Sequence, residues 1–138
     1  MVYTYFAIGA PEALRRVNSE DEFLARFEPG VGGIVPLATV NGLLSILDFP
    51  AADSAELLNR DGPKSFQLYV LPENFATKLA AYGDNHLESV SASWSKEEYW
   101  ELVEVNPFDL FGFLVELKSL CKRAHSDSDR VICAIVSD

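Results

Sequence analysis

Two patterns organise this chain: short runs of β-branched, aromatic and apolar residues, which suit strands, and apolar residues three and four apart, which suit helices. Residues 2–8, V-Y-T-Y-F-A-I, are β-branched and aromatic and stop at Gly9, so they predict a strand. Pro11 fits the first position of a short helical segment over residues 11–17. Ser19 and Glu22 form the capping box of a helix to about residue 27, with Phe23, Leu24 and Phe27 apolar; Glu28-Pro29-Gly30 ends it. Val40, Leu43, Leu44 and Leu47 keep the spacing of a buried helix in spite of Gly42. Asp53 and Glu56 predict another short capped helix, closed by Asp61-Gly62-Pro63. Residues 65–71, S-F-Q-L-Y-V-L, predict the next strand, and Pro72 opens a helix with Gly83 at its C-terminal cap.

Residues 84–94 are polar and read as irregular, after which Ser95 and Glu98 predict a capping box for a helix in S-K-E-E-Y-W-E-L-V-E-V-N. Asn106-Pro107 opens the longest helix, apolar around most of its circumference as far as Lys118, which predicts a central, buried element. Lys122 and Arg123 lie in its last turn, where the helix dipole favours cations. Residues 130–136 carry V-I-C-A-I-V, apolar on both faces, as an inner strand covered on both sides must be. Strands at both ends and in the middle, mixed with helices and divided by no linker, predict an α+β fold. The expectation is one domain over residues 1–138, a small mixed sheet with helices packed around it.

The order of pieces resembles the YfbM-like family of small bacterial domains. The similarity rests on the opening strand followed by Pro11-Glu12-Ala13-Leu14, on G-P-K-S-F-Q-L-Y-V-L-P-E-N-F, and on the closing Phe/Leu-rich helix, Ala124, polar loop and apolar strand. This chain departs from the family in its central helix, which reads A-T-V-N-G-L-L where the family opens with an aspartate and a tryptophan. The resemblance implies a compact domain of strands and helices and no established activity. Small bacterial domains of this kind are often partners of toxins, an analogy of fold alone.

Charge then narrows the function. The 138 residues are 49% hydrophobic, an ordinary globular balance, but 21 acidic against 11 basic residues give a net charge of −10. That charge repels phosphates and argues against nucleic acid as a partner, while it attracts and steers basic proteins. No stretch approaches the ~20 apolar residues of a membrane span, and the N-terminus lacks the pattern of a signal peptide. The expectation is a cytoplasmic protein with no membrane partner.

Catalytic chemistry is sparsely supplied. His86 in D-N-H-L-E has no zinc-motif spacing and reads as a solvated loop histidine. H-S-D-S-D, from His125, lacks the glycine and later glutamate of a calcium loop. Cys121 and His125 are four apart, a spacing that would pair a thiol with a base, but on a helix that reads as buried. Cys121 and Cys133 otherwise read as small hydrophobes. The V-G-G-I-V-P stretch has neither a phosphate-loop ending nor a dinucleotide fingerprint, and reads as a turn or lining strand. No catalytic, cofactor or metal residue is therefore assigned, and no enzyme is expected.

From Asp84 to Asp109 there are seven acidic residues against Lys96 alone. At 100° per residue, Tyr99, Leu102 and Val103 share the core side of the helix after Ser95, and Trp100 falls opposite, among Glu97, Glu101 and Glu104. The predicted partner site is thus Trp100 as an aromatic anchor, rimmed by Glu97, Glu98, Glu101, Glu104, Asp84 and Glu88. The plain alternative is a solvated acidic face with Trp100 tucked sideways. The functional expectation is a non-catalytic immunity protein or antitoxin that binds a cognate basic, nucleic-acid-targeting toxin. Its rival is a small-molecule-binding or enzymatic domain with a pocket near residues 30–33 and the Phe/Tyr cluster.

Overall fold

The first and last strands pair along their full length. In a computed structural model, which describes residues 2–14, 17–28, 30–124 and 129–137, β1 (Val2–Gly9) runs antiparallel to β5 (Arg130–Ser137), from Val2 opposite Ser137 to Gly9 opposite Arg130. The free side of β5 takes β4 (Phe66–Val70), and two short strands, β2 (Val31–Gly33) and β3 (Glu56–Leu57), close the edges in the order β2-β1-β5-β4-β3. Residues 131–135 of β5 are all buried, as strand residues apolar on both faces require. Two- and three-residue edge strands leave little open ladder for another chain to pair with. The fold is α+β. All four strand pairings are antiparallel, however, where a mixed sheet was predicted. Strand direction follows from how the connections run, and local alternation of apolar residues does not encode it.

Successive strand side chains point to opposite faces, and this divides the core in two. Phe6, Tyr69, Val131, Cys133 and Ile135 face the larger cluster, which is covered by α2 (Leu37–Ile46), α3 (Phe75–Ala80), α4 (Asp84–Trp94) and α6 (Pro107–Cys121). Ala7, Phe66, Leu68, Ile132 and Ala134 face the other way. They are covered by Leu14 of the 3-10 turn Pro11–Leu14, by Val17, and by Phe23 of α1 (Glu20–Arg26). Ser19 caps α1 by accepting from the Glu22 N–H. In α2 the predicted spacing holds, with Val40, Leu43, Leu44 and Leu47 all buried.

Several elements differ from the sequence expectation. Residues 84–94 form α4 rather than an irregular stretch, and Gly83 is its N-cap, not the end of α3. Leu87, Val90, Ser91 and Trp94 keep the i, i+3, i+4, i+7 spacing on its buried face, although Asp84, Asn85 and His86 before them and Glu88, Ser89 and Ser93 among them dilute it. The helix predicted from Asp53 and Glu56 is a 3-10 turn, Ala51–Asp53, followed by β3. Asn41 Oδ1 accepts from the Ala55 N–H, and Asn59 pairs with the β4 edge through Phe66 O and the Leu68 N–H, both at 2.8 Å; these bonds pull the segment onto the sheet. The capping box of Ser95 and Glu98 does not form: Ser95 Oγ donates to Ala92 O, and Glu97 is the N-cap of a five-residue helix, α5 (Glu98–Leu102). Finally, α6 buries one stripe, Leu110, Leu114, Leu117, Leu120 and Cys121, while Phe108, Gly112, Glu116 and Ser119 face out. It packs that stripe on the sheet, α3 and α4, and is not buried all round. Among the described residues no helix is long and apolar enough to cross a membrane.

Candidate interaction surface

The face of α5 departs from the predicted one at three positions: Tyr99 packs against the core as expected, but Trp100 joins it while Leu102 and Val103 turn outward. Trp100 is only 6% exposed, whereas Leu102 is 80% and Val103 49% exposed. The indole of Trp100 stands edge-on to Trp94, with ring centroids 5.3 Å apart and planes at 82°, and Tyr99 meets it at 5.1 Å. A wheel drawn over twelve residues cannot be applied to a helix of one and a half turns. The placement of α5 is set by its neighbours. Trp94 at the end of α4 offers the aromatic partner, and the Glu97 N–H donates back to Trp94 O. At the other end the Val105 N–H reaches Trp100 O and the Glu104 N–H reaches Glu101 O, the paired bonds of a Schellman motif. Glu104, in the left-handed position at φ 54°, occupies the place glycine usually takes. Burial leaves the Trp100 Nε1–H without a partner among the described residues, a cost of about 1–3 kcal/mol. Removing a buried Trp typically costs about 3–5 kcal/mol, so burial outweighs the orphaned donor. Trp100 is a core residue and cannot serve as the exposed anchor.

Glu97 also leaves the predicted rim. It is half-buried, and its Oε1 packs directly over Gly42 of α2, where any Cβ would collide with it. That oxygen has no hydrogen-bond partner among the described residues. Burial raises the Glu97 carboxyl above its ordinary range, and the nearby Trp94 indole offsets this only in part, since Trp94 Nε1 donates to Thr39 O at 2.9 Å. The remaining predicted carboxylates are exposed: Glu98 and Glu101 on α5, Glu104 just beyond it, and Asp84 and Glu88 one turn apart on α4. Asp109, in the first turn of α6, is exposed as well.

The same stretch of chain also exposes apolar side chains. Besides Leu102 and Val103, Phe108 is 75% exposed, at the start of α6 where Asn106 Oδ1 caps its N–H at 2.9 Å. Beside it runs a groove of about 360 Å³ between α4 and α6, lined by Glu88, Ser91 and Ala92 on one side and Pro107, Phe108 and Phe111 on the other. The exposure of Phe108 is hidden in the sequence because the Phe/Leu-rich run of α6 reads as apolar around most of its circumference. The place of Phe108 next to Pro107 and Asp109, outside the Leu110–Leu114–Leu117 stripe, was the available signal.

Other candidates fare differently. A cleft of about 490 Å³ is lined by Phe49, Asp53, Glu56, Lys78 and Arg130 among others, but both cations are engaged. Lys78 lies 4.9 Å over the Phe49 ring, and Arg130 donates twice to Leu71 O. The glycine stretch at residues 30–33 serves close packing: a Cβ at Gly30 would meet Leu120 and Arg123, and one at Gly32 would meet the Tyr3 hydroxyl. His86 lies on α4, stacked on Tyr82 with centroids 4.0 Å apart, rather than in a loop. Cys121 and Cys133 are free and buried, and burial pushes the Cys121 thiol up to about 12, which suppresses the reactive thiolate. His125 and residues 126–128 lie outside the described residues. Among the described residues no cluster of three His, Cys, Asp or Glu is placed to hold a metal ion.

Comparison with family models, curated proteins and solved structures returns no match, so the surface is read from its own residues.

Proposed function

We propose that the protein is a non-catalytic acidic binding protein, an immunity protein or antitoxin that neutralises a basic toxin by covering it. The observation that supports this reading is the exposure of Leu102, Val103 and Phe108 within a region where Glu88, Glu98, Glu101, Glu104 and Asp109 are also exposed. Exposed apolar side chains rimmed by charge mark interaction sites more often than inert surface. The carboxylates would steer a basic partner, and the apolar centre would hold it after desolvation. Phe108 and Leu102 take the anchoring part first assigned to Trp100. A toxin that binds phosphate-bearing substrates needs a basic groove, which such a face can fill. A cytoplasmic location suits that role. The resemblance to the YfbM-like family adds no activity to it.

The test is co-expression with candidate toxins encoded beside its gene. Wild-type protein should restore growth and form a stoichiometric complex with one of them. Phe108→Asp, folded normally, should lose both. Failure of the wild type to protect against any of them would sink the proposal.

A further inference from the structure

Building on that proposed role, we propose that the groove between α4 and α6 receives one large apolar side chain from a basic helical segment of a protein partner. The groove stands on two regular helices and no loop. Pro107 sits in the first turn of α6, and the Asn106 cap fixes the turn that carries Phe108. On the opposite wall, Ala92 is small and Ser91 turns its hydroxyl back onto Glu88 O at 2.8 Å, which leaves the Glu88 carboxylate as the polar group of that wall. Phe108 and Phe111, with centroids 6.5 Å apart, supply an aromatic side to the same space. A preformed groove of this kind requires little reordering on binding.

The charge pattern selects the occupant. Glu88 lines the groove, Asp84 lies one turn before it on α4, and Asp109 follows Phe108 on α6. Between Asp84 and Asp109 the only lysine or arginine is Lys96. An apolar pocket flanked by carboxylates on two helices asks for several cations spaced around one apolar group. A lysine- or arginine-rich helix with a central aromatic residue provides that arrangement, in the helix-in-groove mode. A small organic cation cannot span the separate carboxylates. An anionic lipid surface is repelled by them, and a second copy of this chain would set carboxylate against carboxylate.

The experiment uses the full chain and two labelled synthetic probes, lysine-rich amphipathic helical peptides identical except for a central tryptophan or alanine. At low salt the tryptophan peptide should bind about tenfold tighter than its twin. That preference should vanish in Phe108→Ala and in Ala92→Phe, which fills the groove from an exposed position, with melting temperatures near that of the wild type. Equal binding of both peptides overturns the groove as an anchor site while leaving the acidic attraction intact. No binding of either peptide at low salt removes the acidic attraction itself, and with it the proposed function. A preference that survives in Phe108→Ala places the tryptophan elsewhere and also overturns the inference.

Discussion

Trp100 and Phe108 exchange the roles that spacing alone suggested, and single substitutions separate them. With Trp100 packed on Trp94 and Tyr99, Trp100→Ala should cost about 3–5 kcal/mol in urea unfolding. Phe108→Ala, at an exposed site, should change stability by no more than about 0.5 kcal/mol. The reverse pattern would return Trp100 to the surface. Glu97 behaves as a carboxyl whose pKa rises on folding, so the folded state favours its protonated form. The stability associated with that form is complete below the ordinary value of 4.5 and is lost as pH rises through the folded value. Glu97→Gln should therefore raise the melting temperature at pH 7, and the gain should shrink toward pH 4. A gain that is the same at both pH values would show that the carboxylate's charge is not the source.

Helices α2 and α5 end in the same device with the same irregularity. In α2 the Phe49 N–H reaches Leu44 O and the Asp48 N–H reaches Ser45 O, with Asp48 at φ 66°; in α5 Glu104 stands in the equivalent place. A left-handed conformation costs a residue with a Cβ roughly 1 kcal/mol, and aspartate tolerates it better than glutamate. Glu104→Gly should stabilise the protein by up to about 1 kcal/mol, less the entropy glycine adds to the unfolded chain. Urea midpoints of the two proteins would decide this. A loss of stability would mean that the Glu104 side chain makes a compensating contact. The motif also ends α5 after five residues, with Leu102 and Val103 exposed at its C-terminal end.

At the scale of the whole molecule, one acidic region is set on a body with a net charge of −10. Self-repulsion among exposed carboxylates destabilises the folded state at low ionic strength, and salt screens it within a Debye length of ~8 Å near 0.15 M. Raising sodium chloride from about 10 mM to about 0.3 M should therefore raise the melting temperature modestly. The same salt should weaken capture of a basic partner, because steering is screened too. A melting temperature that falls with salt would indicate that attractive pairs outweigh repulsion across the surface.

Some of this molecule is written locally. The β-branched and aromatic residues 2–8 and the doubly apolar residues 131–136 define β1 and the inner strand β5, because such side chains suit an extended backbone packed on one or both faces. Val40, Leu43, Leu44 and Leu47 define α2, and Ser19, Asn106 and Pro107 mark helix starts, since capping involves groups only two or three residues apart. The acidic run from Asp84 to Asp109 was equally plain, and most of it is exposed. What the tertiary structure decided is which side of a short element turns inward. In a five-residue helix a wheel defines no dependable face; α5 turns Trp100 inward because Trp94, from α4, waits there. Glu97 is half-buried because Gly42, 55 positions earlier, leaves room for it. The antiparallel pairing of β1 with β5 joins segments at opposite ends of the described residues. Local energies choose helix or strand, but only packing between segments far apart in sequence chooses which face of an element is hidden and which is left for a partner.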